Sequence, residues 1–280
     1  MTGEGIAERD YQELCSLIEA ECGIVFTPAK RSMVESRLQR RARALGLGSL
    51  AAYCGHLRDR EGRERETPHL VDAVTTHKTD FYREPAHFDC LSGQVLPDLV
   101  AGGAGTNRVL SAWSAACSTG EEPYTMAMAL SEFARKRNLN LRCRVAGSDI
   151  SLPVLETARA AVYREAAVAP LPSEYRRYLL RNRDRASGLV RIAPEIRAMT
   201  SFRQVNLMDT GYGFREPMDF VFCRNVMIYF TRPAQAAVLG RISATLRAGG
   251  YLFLGHSESL CGLDLPLEQV SATVYRRRHG

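Results

Sequence analysis

Two adjacent carboxylates, Glu121 and Glu122, follow a run of small residues at 114–118 in the middle of the chain. The apolar run at 109–113 before them predicts a buried strand, and the small residues then form a turn into an amphipathic helix. Because the amino end of a helix attracts anions, two acids there occupy the place that a phosphate would take. The turn therefore favours a ligand that carries hydroxyls and positive charge, although an ordinary tight turn without a ligand is the alternative.

A third carboxylate, Asp149, ends the next predicted strand, at 143–148. An acid at the carboxyl end of a parallel strand can accept hydrogen bonds from both hydroxyls of a ribose. The alternative for such an acid is to cap the following helix, and Ser151 is available for that task. We therefore predict that Asp149 binds a ribose.

Polar residues also follow the buried run at 219–223. Arg224 and Asn225 come directly after it, and Tyr229 lies one helical turn further along. If this run is a neighbouring strand of the same sheet, its polar residues meet the first turn at the carboxyl edge, which favours a ligand site. A salt bridge for Arg224 and a core position for Tyr229 are the purely structural alternatives.

His256, Ser257 and Glu258 have the residue types of a serine hydrolase. The chain has no Gly-x-Ser-x-Gly elbow, and these three residues adjoin in sequence instead of converging from separate strands, so we do not interpret them as a triad. The six histidines lack metal-ligand spacing, and the eight cysteines include no Cys-x-x-Cys pair. We therefore expect no metal site, and reduced thiols in a cytoplasmic protein.

The elements that must position these groups fall into a helical part and an alternating part. Residues 1–75 show apolar residues at helical spacing, which predicts an all-helical N-terminal domain. Four helices are expected there, with their ends marked by Gly23, by Thr27 and Pro28, by Ser49, and by Thr67 and Pro68. Residues 76–107 then form a linker to the second domain.

The second predicted helix is strongly basic. Arg37, Arg40 and Arg41 are spaced i, i+3 and i+4, which places them on one face. A solvated charged face is the common explanation for such a pattern. So many positive charges in a nearly neutral domain also make a docking surface for an acidic partner plausible.

From residue 108 onward, predicted strands alternate with predicted helices, which is typical of a mostly parallel, doubly wound α/β sheet. An insertion at about 163–206 interrupts this alternation and contains two predicted strands, at 189–192 and 201–205. We therefore expect a second domain at 108–280 that carries a separate inserted subdomain.

The charge distribution indicates the kind of partner. The net charge is +6, and residues 159–203 alone carry ten arginines against four acids, which favours an acidic partner. The arginines are not interleaved with aromatic residues as in proteins that bind single-stranded nucleic acid. No apolar run approaches the length of a membrane span and the N-terminus is no signal peptide, so we expect no membrane insertion.

Several strings of this sequence resemble one family. They are Ser-Thr-Gly-Glu-Glu-Pro-Tyr at 118–124, Ser-Asp-Ile at 148–150, Cys-Arg-Asn-Val-Met-Ile-Tyr-Phe at 223–230, Gly-His-Ser-Glu at 255–258 and Phe-Tyr-Arg-Glu at 81–84. Together they resemble the chemotaxis receptor methyltransferases of the CheR type over nearly the whole chain. The resemblance implies a Rossmann-like S-adenosylmethionine-dependent methyltransferase domain with a small all-helical N-terminal domain and an inserted antiparallel β-subdomain.

The resemblance also assigns site residues. Those expected to contact S-adenosylmethionine, or its product S-adenosylhomocysteine, are His77, Thr79, Arg83, Glu121, Asp149, Asn206, Leu207, Arg224 and Asn225. Asp149 would bind the ribose, and Asn206 with Leu207 would frame the adenine. Arg83 and Tyr229 would lie beside the transferred methyl group and act as the catalytic residues.

The activity that the resemblance implies is that of a protein-glutamate O-methyltransferase. Such an enzyme methylates glutamate side chains on the cytoplasmic helices of chemoreceptors for sensory adaptation. Those helices are acidic, so the face of Arg37, Arg40 and Arg41 becomes the expected substrate-docking surface. We expect a cytoplasmic monomer without a nucleic-acid partner. Two other classes stay open: a nucleic-acid methyltransferase, suggested by the basic excess, and a non-catalytic scaffold that keeps the cofactor pocket as a sensor.

Overall fold

The computed structural model of the protein describes residues 6–182 and 184–279, which divide into two compact units. The smaller unit holds the chain up to Thr76 together with Asn206–Met208 and Tyr229–Gln235, and the larger unit holds the rest. Among the described residues, no helix combines the length and the hydropathy that crossing a membrane requires.

Within the described residues, the smaller unit contains helices α1 (Glu8–Cys22), α2 (Arg31–Ala44), α3 (Leu50–Arg58) and α4 (Arg60–Val74). Apolar residues three and four positions apart turn one face of each helix inward. The buried set includes Leu14, Ile18, Val34, Leu38, Tyr53, Leu57, Leu70 and Val71. Two predicted helix ends are confirmed: Gly23 ends α1 with a φ of 74°, and Ser49 Oγ accepts a hydrogen bond from the N–H of Ala52 at 3.1 Å.

The predicted start of the fourth helix was wrong. Helix α4 begins at Arg60, and its cap is Asp59, whose carboxylate accepts a hydrogen bond from the N–H of Gly62 at 2.8 Å. Pro68 lies inside the helix, where it removes one main-chain hydrogen bond. The helix continues because the residues on both sides of Pro68 are buried in the same face, among them Glu66 and Leu70.

The described strands of the larger unit are β1 (Leu110–Ala115), β2 (Cys143–Asp149), β3 (Val162–Arg164), β4 (Leu179–Arg181), β5 (Leu189–Ile192), β6 (Thr200–Gln204), β7 (Met218–Cys223), β8 (Leu246–Leu254), β9 (Leu267–Ser271) and β10 (Val274–Arg277). A seven-stranded sheet has the order β6-β2-β1-β7-β8-β10-β9. The pairs from β6 to β8 are parallel, whereas β10 runs antiparallel to both of its neighbours. The predicted doubly wound, mostly parallel sheet is confirmed.

The strand order reverses at β1, because the chain builds outward to β2 and β6 on one side and then continues with β7 and β8 on the other. Ligands of open α/β sheets bind at such a switch point, in the crevice outside the carboxyl ends of the strands. The loops that follow β1, β2 and β7 therefore meet at the edge where a ligand is expected.

The remaining described α-helices are α5 (Pro85–Cys90), α6 (Leu96–Ala101), α7 (Glu121–Lys136), α8 (Leu152–Ala160), α9 (Pro194–Ala198) and α10 (Arg232–Thr245), with a π-helical turn at Leu91–Val95 between α5 and α6. Both faces of β1 and β7 are buried, as expected for central parallel strands. The core also includes Phe88, Leu91 and Leu96. Of residues 76–107, expected as a linker, all but Thr76 lie in the larger unit, to which they contribute two helices and core side chains.

A separate three-stranded antiparallel sheet, in the order β3-β5-β4, forms the inserted subdomain. The second strand predicted for the insertion lies elsewhere: β6 pairs in parallel with β2 in the main sheet. Its sequence, Thr-Ser-Phe-Arg-Gln, is mostly polar, unlike that of a central parallel strand, because β6 lies at the edge of the main sheet and is only half buried. Strand β9 was not predicted, since it is short, lies at the edge of the sheet and has only two apolar residues, Leu267 and Val270.

Candidate active site

The turn after β1 is strained in a way that its small residues permit. Ala116, Ser118 and Gly120 have φ angles of 58°, 49° and 96°, in the left-handed region. A Cβ atom at Gly120 would lie 2.8 Å from the Cβ of Ala158, so only glycine fits there. The turn is hydrogen-bonded to β2, because the N–H of Cys117 donates to the carbonyl oxygen of Ser148 at 2.8 Å.

Asp149, at the end of β2, is buried against this turn. Its Oδ2 accepts a hydrogen bond from the N–H of Ser118 at 2.8 Å, and its Oδ1 accepts one from the N–H of Ser151 at 3.0 Å. Burial raises the pKa of Asp149, although these two N–H groups and the nearby His77 oppose the shift. Ser151 provides no side-chain cap for α8, so the capping role given to it was wrong and Asp149 contacts the start of that helix itself.

Glu121, in the first turn of α7, is buried too. Its Oε2 accepts a hydrogen bond from the hydroxyl of Thr119 at 2.7 Å. Burial raises the pKa of Glu121. Among the described residues, no lysine or arginine forms an ion pair with Glu121 or Asp149. Two buried carboxylates that no described lysine or arginine neutralises suit a ligand that brings hydroxyl donors and positive charge to this edge of the sheet.

Glu122 has a different environment from its neighbour. Its Oε1 accepts a hydrogen bond from the hydroxyl of Ser114 at 2.6 Å, and its Oε2 accepts one from Nε of Arg224 at 2.7 Å. The Arg224 side chain is only 1% exposed, and its guanidinium carbon lies 5.0 Å from the ring centre of Phe222. This ion pair joins the ends of β1, α7 and β7.

The other edge of Arg224 contacts the segment that contains Arg83. Nη1 of Arg224 donates to the carbonyl oxygen of Arg83 at 2.8 Å and lies 3.3 Å from Oε2 of Glu84. Oε1 of Glu84 accepts a hydrogen bond from Nδ2 of Asn225 at 3.1 Å. Burial alone would raise the pKa of Glu84, but hydrogen bonds from His87 and Asn225 and the charge of Arg224 lower it to about 2.

Arg83 itself is half-buried, and Nη1 of its guanidinium donates to the carbonyl oxygen of Lys78 at 3.2 Å. The same segment contains His77 and Thr79, both half-buried. The carbonyl oxygen of His77 accepts a hydrogen bond from the hydroxyl of Ser118 at 2.8 Å. The segment is thus attached to the turn after β1 and to Arg224. The structure therefore brings the segment of the predicted residues His77, Thr79 and Arg83 to the loops after β1 and β7.

Glu258 is a buried residue whose structural role was not predicted from the sequence. Its carboxylate accepts hydrogen bonds from the N–H groups of Gly255, Asn225 and Met227, at 2.7, 2.9 and 2.8 Å. Burial raises its pKa. The carboxylate thus holds the loops after β7 and β8 together and is not part of a hydrolase triad, since His256 is mostly exposed. An acid three residues after Gly255 was the only sequence signal.

The remaining predicted cofactor residues, Asn206 and Leu207, belong to the smaller unit, as does Tyr229. Nδ2 of Asn206 donates to the carbonyl oxygen of Glu21 at 2.6 Å, and Leu207 is buried. The ring of Tyr229 lies under the ammonium of Lys30, 5.0 Å from its centre. That Asn206 frames an adenine, and that Tyr229 lies with Arg83 beside a methyl group, stay predictions.

The three arginines of the predicted docking face differ in environment. Arg37 donates to the carbonyl oxygens of Val74 and Thr75, at 3.0 and 2.7 Å. Arg41 pairs with the buried Glu66, with Nη2 at 2.8 Å from Oε2. Arg40 is exposed and has no ion pair among the described residues. Two of the three therefore stabilise the helical unit, and only Arg40 is free to meet a partner.

Glu84, His87 and His256 are close enough together to suggest a metal site in the described part of the chain. However, Nδ1 of His87 lies 3.1 Å from the guanidinium of Arg224, and Nε2 lies 2.8 Å from the hydroxyl of Thr273. Both ring nitrogens are thus engaged, and a cation would stand beside a positive charge. We assign no metal to this cluster.

The parallel order of the central strands, with the switch point at β1, is that of a Rossmann-like domain. The turn of small residues and the two buried carboxylates at that point suit a ligand with ribose hydroxyls and a positive charge. Comparison with known families makes this specific. Residues 77–276 match the model described as CheR methyltransferase, SAM binding domain, and residues 9–75 match CheR methyltransferase, all-alpha domain. The chain belongs to the CheR family and is an S-adenosylmethionine-dependent methyltransferase, which confirms the resemblance, the fold class and the cofactor.

Two relatives cover nearly all of the chain. Chemotaxis protein methyltransferase 2 of Pseudomonas aeruginosa is 38% identical over 267 residues, which are 95% of this chain and 92% of the relative. Chemotaxis protein methyltransferase of Salmonella typhimurium is 37% identical over 271 residues, which are 96% of this chain and 90% of the relative. The match therefore includes both units and the inserted subdomain.

Proposed function

We propose that this methyltransferase acts on glutamate side chains in the cytoplasmic helices of chemoreceptors and forms glutamate methyl esters during sensory adaptation. The names of the relatives, chemotaxis protein methyltransferases, support a chemoreceptor substrate. The observation that carries the proposal is the pair of buried carboxylates, Glu121 and Asp149, within the matched S-adenosylmethionine-binding domain.

The cofactor, when bound, supplies a methyl group on a positively charged sulfur. Asp149 would hold the ribose hydroxyls, because a carboxylate oxygen that accepts one N–H has a further lone pair for another donor. Glu121 would lie near positive charge, which offsets the cost of burying it without a basic partner. His77 and Thr79 would hold the methionine end, and Asn225 would line the pocket.

The nucleophile needs no general base. A glutamate carboxylate has an ordinary pKa near 4.3, so it is ionised at pH 7. What the protein must supply is alignment of the carboxylate with the methyl group and removal of water from the carboxylate. Arg83, whose guanidinium donates one hydrogen bond among the described residues, to the carbonyl oxygen of Lys78, can turn towards the incoming carboxylate. Tyr229 can orient the carboxylate by a hydrogen bond without neutralising it.

The proposal is tested with labelled S-adenosylmethionine and purified fragments of chemoreceptor cytoplasmic domains. Mild base hydrolyses a carboxyl methyl ester and releases labelled methanol, whereas methyl groups on nitrogen or on nucleic-acid bases are retained. Fragments in which the acceptor glutamates are changed to alanine serve as the control and should take up no label. The proposal would be contradicted by label that mild base does not release from the fragment, by label on added nucleic acid, or by no transfer at all.

A further inference from the structure

Arg83 is held in an unusual backbone conformation. The residues on both sides of it, Tyr82 and Glu84, have φ angles of 55° and 59°, in the left-handed region that non-glycine residues avoid. Such a conformation persists only where the surrounding structure enforces it, and it is common at functional sites. Something must therefore hold this segment in place.

The contacts that hold it come from three directions. The N–H of Tyr82 donates to the hydroxyl of Thr125, on α7, at 3.2 Å. The ring of Tyr82 stacks on that of Phe88, with 5.0 Å between the ring centres. Arg224 binds the carbonyl oxygen between the two left-handed residues, at 2.8 Å. Only this last contact acts directly on Arg83.

Arg224 is itself held rigidly. Glu122 accepts its Nε at 2.7 Å, Glu84 lies 3.3 Å from its Nη1, and the side chain is 1% exposed. Glu122 in turn accepts the hydroxyl of Ser114 at the end of β1. A continuous set of contacts therefore runs from the central strand of the sheet to the backbone of Arg83.

We propose that Glu84, Glu122 and Arg224 are positioning residues, which together form a clamp on the backbone of Arg83. The clamp fixes the direction in which the Arg83 guanidinium leaves the main chain and so aligns it with the substrate carboxylate. This inference rests on the proposed function, because it takes Arg83 as the residue that orients the carboxylate. It differs from the expectation that Arg224 acts by contacting the cofactor.

The test is a double-mutant cycle with Arg224→Lys, Arg83→Ala and the double variant. Lysine keeps the charge but cannot bind Glu122 and the Arg83 carbonyl together. We expect Arg224→Lys to lower kcat by about 10- to 100-fold, as small misplacements do. In the Arg83→Ala background the same change should lower kcat by less than about threefold, because the guanidinium that the clamp positions is absent. Arg108→Lys is the control and should leave kcat unchanged, because it alters the ion pair of the half-buried Arg108 with the buried Asp219 at the opposite end of β1.

Binding of S-adenosylhomocysteine, measured by calorimetry, separates the two roles of Arg224. A positioning role leaves the Kd of Arg224→Lys within about threefold of the original protein, whereas loss of a charge-assisted contact to the cofactor would raise it tenfold or more. Equal loss of kcat in both backgrounds, or such a rise in Kd, would overturn the clamp. If Arg83→Ala alone left kcat unchanged, the proposed role of Arg83 would fail instead.

A second measurement covers the case in which buried lysine destabilises the protein. Glu122→Gln keeps the shape of the side chain and removes only its charge, so the fold should survive. We expect faster amide hydrogen exchange at residues 82–84 in this variant, with unchanged exchange in the middle of α7. Unchanged exchange at residues 82–84 together with unchanged kcat would also overturn the clamp.

Discussion

Arg83 is the residue on which the proposed chemistry depends most. Its guanidinium makes one hydrogen bond among the described residues, to the carbonyl oxygen of Lys78. Since its partner would be the substrate carboxylate, its contribution should arise in the transition state and not in cofactor binding. We expect Arg83→Ala to lower kcat by about 10²- to 10³-fold, the usual loss for one preorganised donor. Initial rates with labelled cofactor measure this.

Two comparisons make this prediction specific. The Kd for S-adenosylhomocysteine should change by less than about threefold, because binding of the product needs no substrate carboxylate. Arg83→Lys keeps the charge but lacks the planar fork, so it should recover only part of the rate. Weak cofactor binding with an unchanged rate would show that Arg83 serves the cofactor instead.

Glu84 predicts a pH dependence of stability. Its pKa is about 2 in the folded protein against an ordinary value of 4.5. Because the folded-state pKa is the lower one, Glu84 contributes stability that is fully present above about pH 4.5 and is lost as the pH falls towards 2. We expect Glu84→Gln to be less stable at pH 7, and the difference in free energy of unfolding to narrow between pH 4.5 and pH 3. Urea unfolding of both proteins at each pH measures this difference in free energy of unfolding. A difference that stays constant from pH 7 to pH 3 would refute this account.

The adjacent acids Glu121 and Glu122 show what could be predicted from sequence at this scale. The small-residue turn before them predicted a ligand with positive charge, and the family comparison confirms a cofactor of that kind. The sequence could not tell that Glu122 pairs with Arg224, whereas Glu121 accepts a hydrogen bond from the hydroxyl of Thr119. Neighbouring helix residues point about 100° apart, so their roles depend on which strands pack around α7.

At the scale of the elements, α2 is the helix whose role the structure changes most. Its basic face was predicted as one docking surface, yet Arg37 and Arg41 are used inside the helical unit. Reversing all three charges would therefore break the ion pair with the buried Glu66 and unfold the unit, whether or not the face docks. Arg40 alone can be changed without this effect.

We expect Arg40→Glu to raise the KM for a chemoreceptor fragment by about three- to tenfold, because it replaces attraction to an acidic helix by repulsion. The kcat, the KM for the cofactor and the melting temperature should stay unchanged. Arg60→Glu is the matched control, since Arg60 is 92% exposed on α4 and its reversal changes the net charge equally. If both variants raised the KM alike, the effect would belong to net charge and not to this face of α2.

The elements that the sequence misassigned share a cause. Thr67 and Pro68 look like a helix start, but Asp59 is also a good cap, and the buried residues around Pro68 keep the helix continuous. The pattern at 201–205 correctly predicted a strand, yet a strand pattern does not identify its partner, and β6 pairs with β2. Local propensity is visible in sequence, whereas pairing is decided by packing over long separations.

At the scale of the whole molecule, the net charge of +6 equals the excess of arginines over acids in residues 159–203. Within the described part of this stretch, Arg164 and Arg191 are exposed on the inserted sheet. Long-range attraction of this kind raises the rate of encounter with an acidic partner, and it weakens as salt screens it. It has no comparable effect on a cofactor bound at a buried edge of the sheet.

Ionic strength should therefore change the KM for the chemoreceptor fragment much more than the KM for the cofactor. Raising the salt concentration from about 0.05 M to about 0.5 M shortens the screening length from more than 10 Å to a few ångströms. We expect the KM for the chemoreceptor fragment to rise several-fold over this range, while kcat and the KM for the cofactor stay within about twofold. The charge-reversed pair Arg164→Glu and Arg191→Glu should reduce this salt dependence if the inserted sheet contributes to encounter. A KM for the fragment that does not respond to salt would show that the basic excess has no part in substrate recognition.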